Sequence, residues 1–90
     1  MKPIRWSNHA LQKMAYREID RADVERTLQE PHYSIQGDPP RSILMRRYFD
    51  TRLQQEMMLR VVIEDTETER IVITVYKTSQ IEYYLKGLLQ

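Results

Sequence analysis

The sequence predicts an α+β domain with two N-terminal helices packed on a twisted antiparallel sheet of three to four strands, plus a short C-terminal helix. Three observations support this fold class. Apolar residues recur at helical spacing up to residue 30, alternate with other side chains between residues 33 and 77, and return to helical spacing beyond residue 79. Residues 1–90 are expected to form a single domain, because a chain of 90 residues can build only one core.

Two helices are expected before the sheet. Ser7 or Asn8 can cap the first helix, which should run to about residue 18. The side chains expected on its buried face are Leu11, Met14 and Ala15. Asp20 followed by Asp23 resembles a capping arrangement for a second helix, and Pro31 should stop that helix at about residue 30.

Strands are expected at residues 33–36, 42–50, 57–64 and 70–77, where the apolar period changes to two. The short connections between them favour antiparallel pairing. Pairing the last two strands would bring Arg60, Thr74 and Tyr76 together on one face. The opposite, apolar face would carry Met57, Leu59, Val61, Ile63, Ile71, Ile73 and Val75. Because a small sheet usually covers one face only, we expect Arg60 on an open surface.

A terminal helix is expected over residues 79–90. The run Ser79-Gln80-Ile81-Glu82 is a capping box. An apolar stripe follows at Ile81, Tyr84, Leu85, Leu88 and Leu89. We expect this stripe to pack on the chain's own sheet rather than in the groove of a partner.

Composition limits the location of the protein. Hydrophobic residues make up 41% and charged residues 30%, as in soluble globular proteins. The absence of cysteine agrees with a reducing compartment, so the cytoplasm is the expected location. The N-terminus lacks the apolar core of a signal peptide, and no run of about eighteen apolar residues predicts a membrane span.

Several classes of chemistry find no support in the sequence. His9 and His32 are far apart and have no cysteine companions, so no metal site is expected. Gly37 and Gly87 are the only glycines, which leaves no phosphate-binding loop and no serine-nucleophile elbow. Residues 41–60, in contrast, carry five arginines against two acids, a net charge of +3 that suits phosphate contacts. A solvated strand edge is the alternative explanation.

Cleavage of RNA is one reaction that needs no cofactor. Attack of the 2′-hydroxyl on the adjacent phosphate needs a base, a cation for the developing charge and an acid for the leaving oxygen. His9 is the natural proton carrier, since histidine is the side chain that titrates near neutral pH. Arg60 can meet the phosphate. Further contacts with phosphates or bases are expected from Arg46, Arg47, Tyr76 and Lys77.

Each assignment has a structural alternative. His9 can be an exposed helix residue or a local hydrogen-bond partner. Arg60 can pair with Glu64 or with an acid on a neighbouring strand. By propensity, the strand positions Thr74 and Tyr76 need no functional role.

Several short motifs occur in a characteristic order along the chain. They are Ser7-Asn8-His9-Ala10, Arg17-Glu18-Ile19, Val24, Glu30-Pro31, Leu59-Arg60-Val61-Val62 and Ile73-Thr74-Val75-Tyr76. Together they resemble the motifs of a bacterial family of small toxin-like domains related to the RelE/ParE toxin superfamily, and the resemblance extends over residues 4–77.

The resemblance implies an α+β domain of the RelE/ParE type across residues 1–90 and a set of site residues. The family's histidine–alanine step falls on His9, its helix-end arginine on Arg17 and its strand arginine on Arg60. Its threonine-valine-tyrosine falls on residues 74–76. Arg17 can instead pair with acids at the helix ends. Residues 79–90 lie outside the shared pattern, and some members of the superfamily poison DNA gyrase, so the fold does not decide the reaction.

Three functional hypotheses follow. The first is a cytoplasmic, metal-independent toxin-like endoribonuclease that uses no cofactor, acts on RNA such as ribosome-bound messenger RNA, and is controlled by a protein antitoxin. The second is a noncatalytic toxin-like or protein-binding module that uses the arginine-rich face or the C-terminal helix. The third is a domain without activity that forms a homo-oligomer through Tyr83, Tyr84 and Leu88.

Overall fold

The computed structural model of the chain describes residues 2–87. The helices are Asn8–Tyr16 (α1), Arg21–Gln29 (α2) and Ile81–Lys86 (α3). The strands are Ile4–Trp6 (β1), Tyr33–Gln36 (β2), Arg41–Asp50 (β3), Gln55–Asp65 (β4) and Arg70–Thr78 (β5). The strands form one sheet in the order β1-β5-β4-β3-β2. None of the described helices has the length and hydropathy of a membrane-crossing segment.

The predicted α+β class is confirmed. The expected number of three to four strands is too low, because residues 2–87 form a sheet of five strands. β2, β3, β4 and β5 pair antiparallel as expected, whereas β1 pairs parallel with the first three residues of β5. The connection between β1 and β5 spans the rest of the fold, which is what allows a parallel pair. A strand of three residues is too short to display a period of two, so the sequence pattern does not reveal it.

Ser7 joins α1 to the sheet. Its Oγ accepts the N–H of Ala10 at 3.0 Å and donates to the carbonyl of Ile73 at 2.9 Å, so the expected cap also anchors the helix. The buried positions of α1 are Ala10 and Met14. The expected burial of Leu11 and Ala15 is wrong: Leu11 is 43% exposed and Ala15 is also exposed, because the buried stripe lies one residue earlier, at Ala10 and Met14.

A bulge in β5 changes which residues face the helices. Val62 pairs with Thr74, but its neighbour Ile63 pairs with Val72, so Ile73 is an extra residue in the ladder. Val72 therefore joins the helix-side core in place of Ile71 and Ile73. The expectation that both isoleucines share a face with Val75 is wrong, because one extra residue reverses the alternation of the strand.

Both faces of the sheet are covered, at least in part. α1 and α2 pack on one face, where the core includes Leu44, Leu59, Val61, Ile63, Val72 and Val75. α3 packs on the opposite face, where Ile81 and Leu85 contact Met45 and Met58. The expected packing of the terminal helix on its own sheet is therefore confirmed for the described part of that helix.

The terminal helix starts later than the sequence predicts. Ser79 does not cap α3; the helix starts at Ile81, and the N–H of Gln80 bonds instead to Thr78 Oγ1 at 3.0 Å. The predicted stripe positions Leu88 and Leu89 lie outside the described residues.

A buried ion pair joins the end of β3 to β5. Asp50 Oδ2 accepts Lys77 Nζ at 2.7 Å, and Asp50 Oδ1 accepts the N–H groups of Arg52 and Leu53 at 2.9 and 3.1 Å. Lys77 Nζ also donates to the carbonyl of Glu18 at 3.1 Å, which fixes the chain after α1. The hydrogen bond from Lys77 holds the pKa of Asp50 below its ordinary value.

Replacing Asp50 by Asn is expected to lower the free energy of unfolding by about 3–5 kcal/mol, because the buried ammonium of Lys77 loses its carboxylate. The native pKa of Asp50 is lowered, so the stabilisation is complete above the ordinary pKa and is lost as pH falls through the native pKa. Urea unfolding of both proteins should therefore show a difference that is large at neutral pH and shrinks below about pH 4.

The exposed loop residue Asp38 supplies the control, since Asp38→Asn should leave stability unchanged at every pH. An equally large difference between wild type and D50N at low pH would contradict the role of the ion pair.

Candidate functional site

Arg60 is the most unusual charged residue of the sheet. It lies in β4 on the face covered by α3 and is only 8% exposed. Its Cζ is 5.0 Å from the ring centre of Tyr76 and 4.2 Å from that of Tyr84. No carboxylate of residues 2–87 forms an ion pair with Arg60, and its Nε is buried without a hydrogen-bond partner there.

The expectation of an open surface at Arg60 is wrong. Arg60 lies directly opposite Met45 on β3, and Met58 precedes it by two positions on the same face. These apolar neighbours bind the apolar stripe of α3, and the helix then covers the arginine as well. The guanidinium thus lies largely beneath a helix, beside tyrosine rings rather than acids of residues 2–87.

A buried guanidinium without a carboxylate is costly. Removing a charge from water costs several kcal/mol even after the protein relaxes, whereas a cation–π contact returns only about 0.5–2 kcal/mol. Arg60 therefore keeps most of its capacity to bind an anion. This combination of burial and a missing partner marks the surroundings of Arg60 as the candidate site.

Tyr76 lies opposite Arg60 in the ladder between β4 and β5, as the sequence pattern predicts. Burial raises the pKa of Tyr76, while the positive charges of Arg60 and Arg17 oppose that shift. The positive charges of two guanidinium groups therefore both influence the pKa of the Tyr76 phenol. Thr74 lies two positions before Tyr76, opposite Val62, and is half-buried.

Arg17 lies at the free edge of β5. β1 pairs only with residues 70–72, so the edge beyond them has no strand neighbour among the described residues. Arg17 Nη1 donates to the carbonyl of Val75 at 2.7 Å on this edge. The arginine thus stands between the helix side of the sheet and the face that carries Tyr76 and Arg60.

His9 lies on the helix side of the sheet. It is the second residue of α1, it is exposed, and it has no side-chain hydrogen bond among residues 2–87. Spacing of four and eight residues places His9, Lys13 and Arg17 on one flank of the helix. His9 and Arg60 are therefore on opposite faces of the sheet, and the edge of β5 lies between them.

The adjacent residues Arg46 and Arg47 point to opposite faces, as neighbours on a strand must. Arg46 donates to the carbonyl of Glu30 on the helix side. Arg47 shares the face of Arg60 and is its diagonal neighbour across β3 and β4. Arg47 pairs with Glu56 at 2.7 Å, a contact that raises the pKa of its guanidinium.

Lys77 is not free to contact a ligand. Its side chain is 11% exposed, lies on the helix side and is held by Asp50. Among residues 2–87, no group of three or more histidine and acidic side chains is arranged to hold a metal ion. The structure thus brings together Arg60, Thr74, Tyr76, Arg47 and, at the edge, Arg17.

Tyr84 was not among the residues that the sequence singled out for this site. The apolar stripe of the terminal helix contains it, but its contact with Arg60 depends on which face of the sheet the helix covers. No local pattern carries that information.

Replacing Arg60 by Met is expected to leave the free energy of unfolding unchanged, or to raise it by up to about 4 kcal/mol, because the variant removes a buried charge that lacks a partner. Equilibrium urea unfolding measures the difference. Arg70→Met is the matched control: Arg70 pairs with Asp65 at 2.9 Å, so that variant should lose stability. A loss of more than about 2 kcal/mol in R60M would show that Arg60 serves the fold through its tyrosine contacts.

Most of the chain matches a known protein family. Residues 6–77 match the family described as Domain of unknown function (DUF4258), a span that runs from the end of β1 almost to the end of β5. α3 lies outside the matched span. Among curated proteins and solved structures, none matches the chain. Because the match extends over well more than half of its length, the chain belongs to the DUF4258 family.

Proposed function

We propose that this protein binds RNA across the edge of β5 and cleaves it without a metal ion, through attack of a 2′-hydroxyl on the adjacent phosphate. One observation carries the proposal: the side chain of Arg60 is buried near the rings of Tyr76 and Tyr84, with no carboxylate of residues 2–87 paired to it. Guanidinium groups bind phosphate in a bidentate manner, and no acid of the described residues competes for this one.

The edge of β5 would lie beneath the scissile phosphate. Arg17 on the edge and Arg60 behind it both act electrostatically on Tyr76, so one anion near that phenol would feel both cations. Two cations at this place would stabilise the charge that develops on the phosphorane. Burial raises the pKa of Tyr76, which keeps the hydroxyl protonated at neutral pH and able to donate to a phosphate oxygen.

His9 would take the proton of the attacking 2′-hydroxyl and, as an imidazolium, pass it to the leaving 5′-oxygen, so that the 2′-O–P bond forms as the P–5′-O bond breaks. It is exposed on the same flank of α1 as Arg17, where a strand of RNA that crosses the edge would reach it. Thr74, on the face of Arg60, would hold a neighbouring phosphate, and Arg46 would do so on the helix side. Arg47 is paired with Glu56 and is not assigned to a phosphate. Lys77 is left out of this assignment because its ammonium is held by Asp50.

The resemblance to RelE/ParE toxins extends the proposal to regulation and location. It supports a cytoplasmic toxin that acts on RNA, with ribosome-bound messenger RNA as a substrate, and a protein antitoxin that covers the arginines. The motifs that carry the resemblance include His9, Arg17, Arg60 and residues 74–76, which are the groups assigned above.

A noncatalytic binding module is the second candidate, and one observation favours it. His9 and Arg60 lie on opposite faces of the sheet, so the proton carrier and the phosphate site do not share one surface in the free protein. A binding protein would need the arginines and tyrosines but no proton carrier.

Purified protein is expected to cut RNA in the presence of a chelator and to leave 2′,3′-cyclic phosphate ends. His9→Ala should lower the cleavage rate by about two decades or more while the protein stays folded. R60M should lose both RNA binding and cleavage, and expression of the wild type, unlike R60M, should arrest bacterial growth. Gel analysis of the products and RNA-binding titrations measure these effects.

His32→Ala is the control for His9, since His32 is also exposed but accepts only the backbone N–H of Arg47, at 3.0 Å. It should keep the wild-type rate. RNA that is bound but stays intact, with H9A binding as well as wild type, would favour the binding module. RNA that is neither bound nor cut, with or without ribosomes, would refute both.

A further inference from the structure

A second feature of the Arg60 face is an open groove of about 470 Å³ beside the start of α3. Tyr83, Arg47 and Glu56 are among the residues that line it. Ser79 and Gln80 line its end. The volume falls within the range of roughly 300–1,000 Å³ that small-molecule sites occupy. The groove is distinct from the surroundings of Tyr76 and has no part in the proposed cleavage step.

Tyr83 gives this groove an aromatic surface. The side chain is 72% exposed, although tyrosine usually buries most of its ring. Its ring is held edge-to-face by Tyr84, with centres 5.2 Å apart and planes at 87°. Tyr84 in turn rests on the guanidinium of Arg60. The exposed ring is therefore positioned by the same contacts that bury the arginine.

The charges of the groove favour a neutral ligand. Arg47 and Glu56 neutralise each other, and Glu82, which also lines the groove, adds a negative charge. A phosphate would be repelled here, whereas a nucleobase is uncharged, has a face for stacking and has edge groups for the polar walls.

The groove adjoins the phosphate site. Arg47 and Arg60 are diagonal neighbours on paired strands, a relation that separates them by about 7–8 Å. A base in the groove and a phosphate at Arg60 would then belong to the same short stretch of one strand of RNA.

We propose that this groove binds an unpaired nucleobase stacked on Tyr83, next to the phosphate held at Arg60. The inference rests on the proposed binding of RNA and narrows the substrate class to single-stranded RNA. A paired base is stacked within its helix and cannot enter the groove.

The test is the affinity of the full chain for two short single-stranded oligonucleotides. Both carry 2′-O-methyl groups, which prevent cleavage, and one lacks its bases. Fluorescence anisotropy should show that Tyr83→Ala weakens binding of the intact oligonucleotide about tenfold or more and leaves binding of the abasic one unchanged. Tyr83→Phe should bind as wild type, because the ring is kept. Tyr16→Ala removes an 83% exposed tyrosine from the opposite side of the sheet and should change neither affinity.

The outcomes separate the two proposals. If wild type binds both oligonucleotides equally and R60M binds neither, RNA binding stands and the base site is refuted. The base site is also refuted if Y83A loses affinity for both oligonucleotides equally, or if it keeps its affinity for both. If wild type binds no oligonucleotide at all, the proposed function fails and the base site fails with it.

Discussion

The central place of β4 constrains the rest of the structure. Its side chains from Met57 to Val61 are all buried, so both faces of the sheet must be covered at this strand. α1 and α2 cover one face and α3 covers the other. Arg60 is part of this buried run. It has to share the apolar layer with Met45 and Met58, and among residues 2–87 its charge is accommodated by the rings of Tyr76 and Tyr84.

The surroundings of Arg60 differ from those of the charged residues that stabilise the fold. An arginine that served the fold would be expected to face an acid, as Arg70 faces Asp65 and Lys77 faces Asp50. Arg60 instead loses hydration and gains no carboxylate from residues 2–87. Such an arrangement lowers stability, and an anion bound at Arg60 would offset that loss.

Much of the fold could be predicted from the sequence, because β2 to β5 and the helices all show a clear period. β1 could not, since three residues carry no period. The bulge at Ile73 could not be predicted either. Residues 71, 73 and 75 continue the apolar alternation in the sequence, and only the pairing of β5 with β4 shows that Val72 takes the core position. For the site, the pairing of Arg60 with Tyr76 follows from strand register. Three further features depend on contacts between residues that are distant in sequence, so no local pattern predicts them. They are the burial of Arg60 under α3, the ion pair between Lys77 and Asp50, and the position of His9 on the face opposite Arg60.

The position of α3 outside the family match has a structural consequence. The sheet that carries the arginine belongs to the matched span, whereas the tyrosine that covers it comes from the tail. The layer that holds Arg60 and the helix that covers it thus come from separate segments of the chain. A change in the sequence of the tail can therefore alter the cover of Arg60 while the strand residues beneath it stay the same.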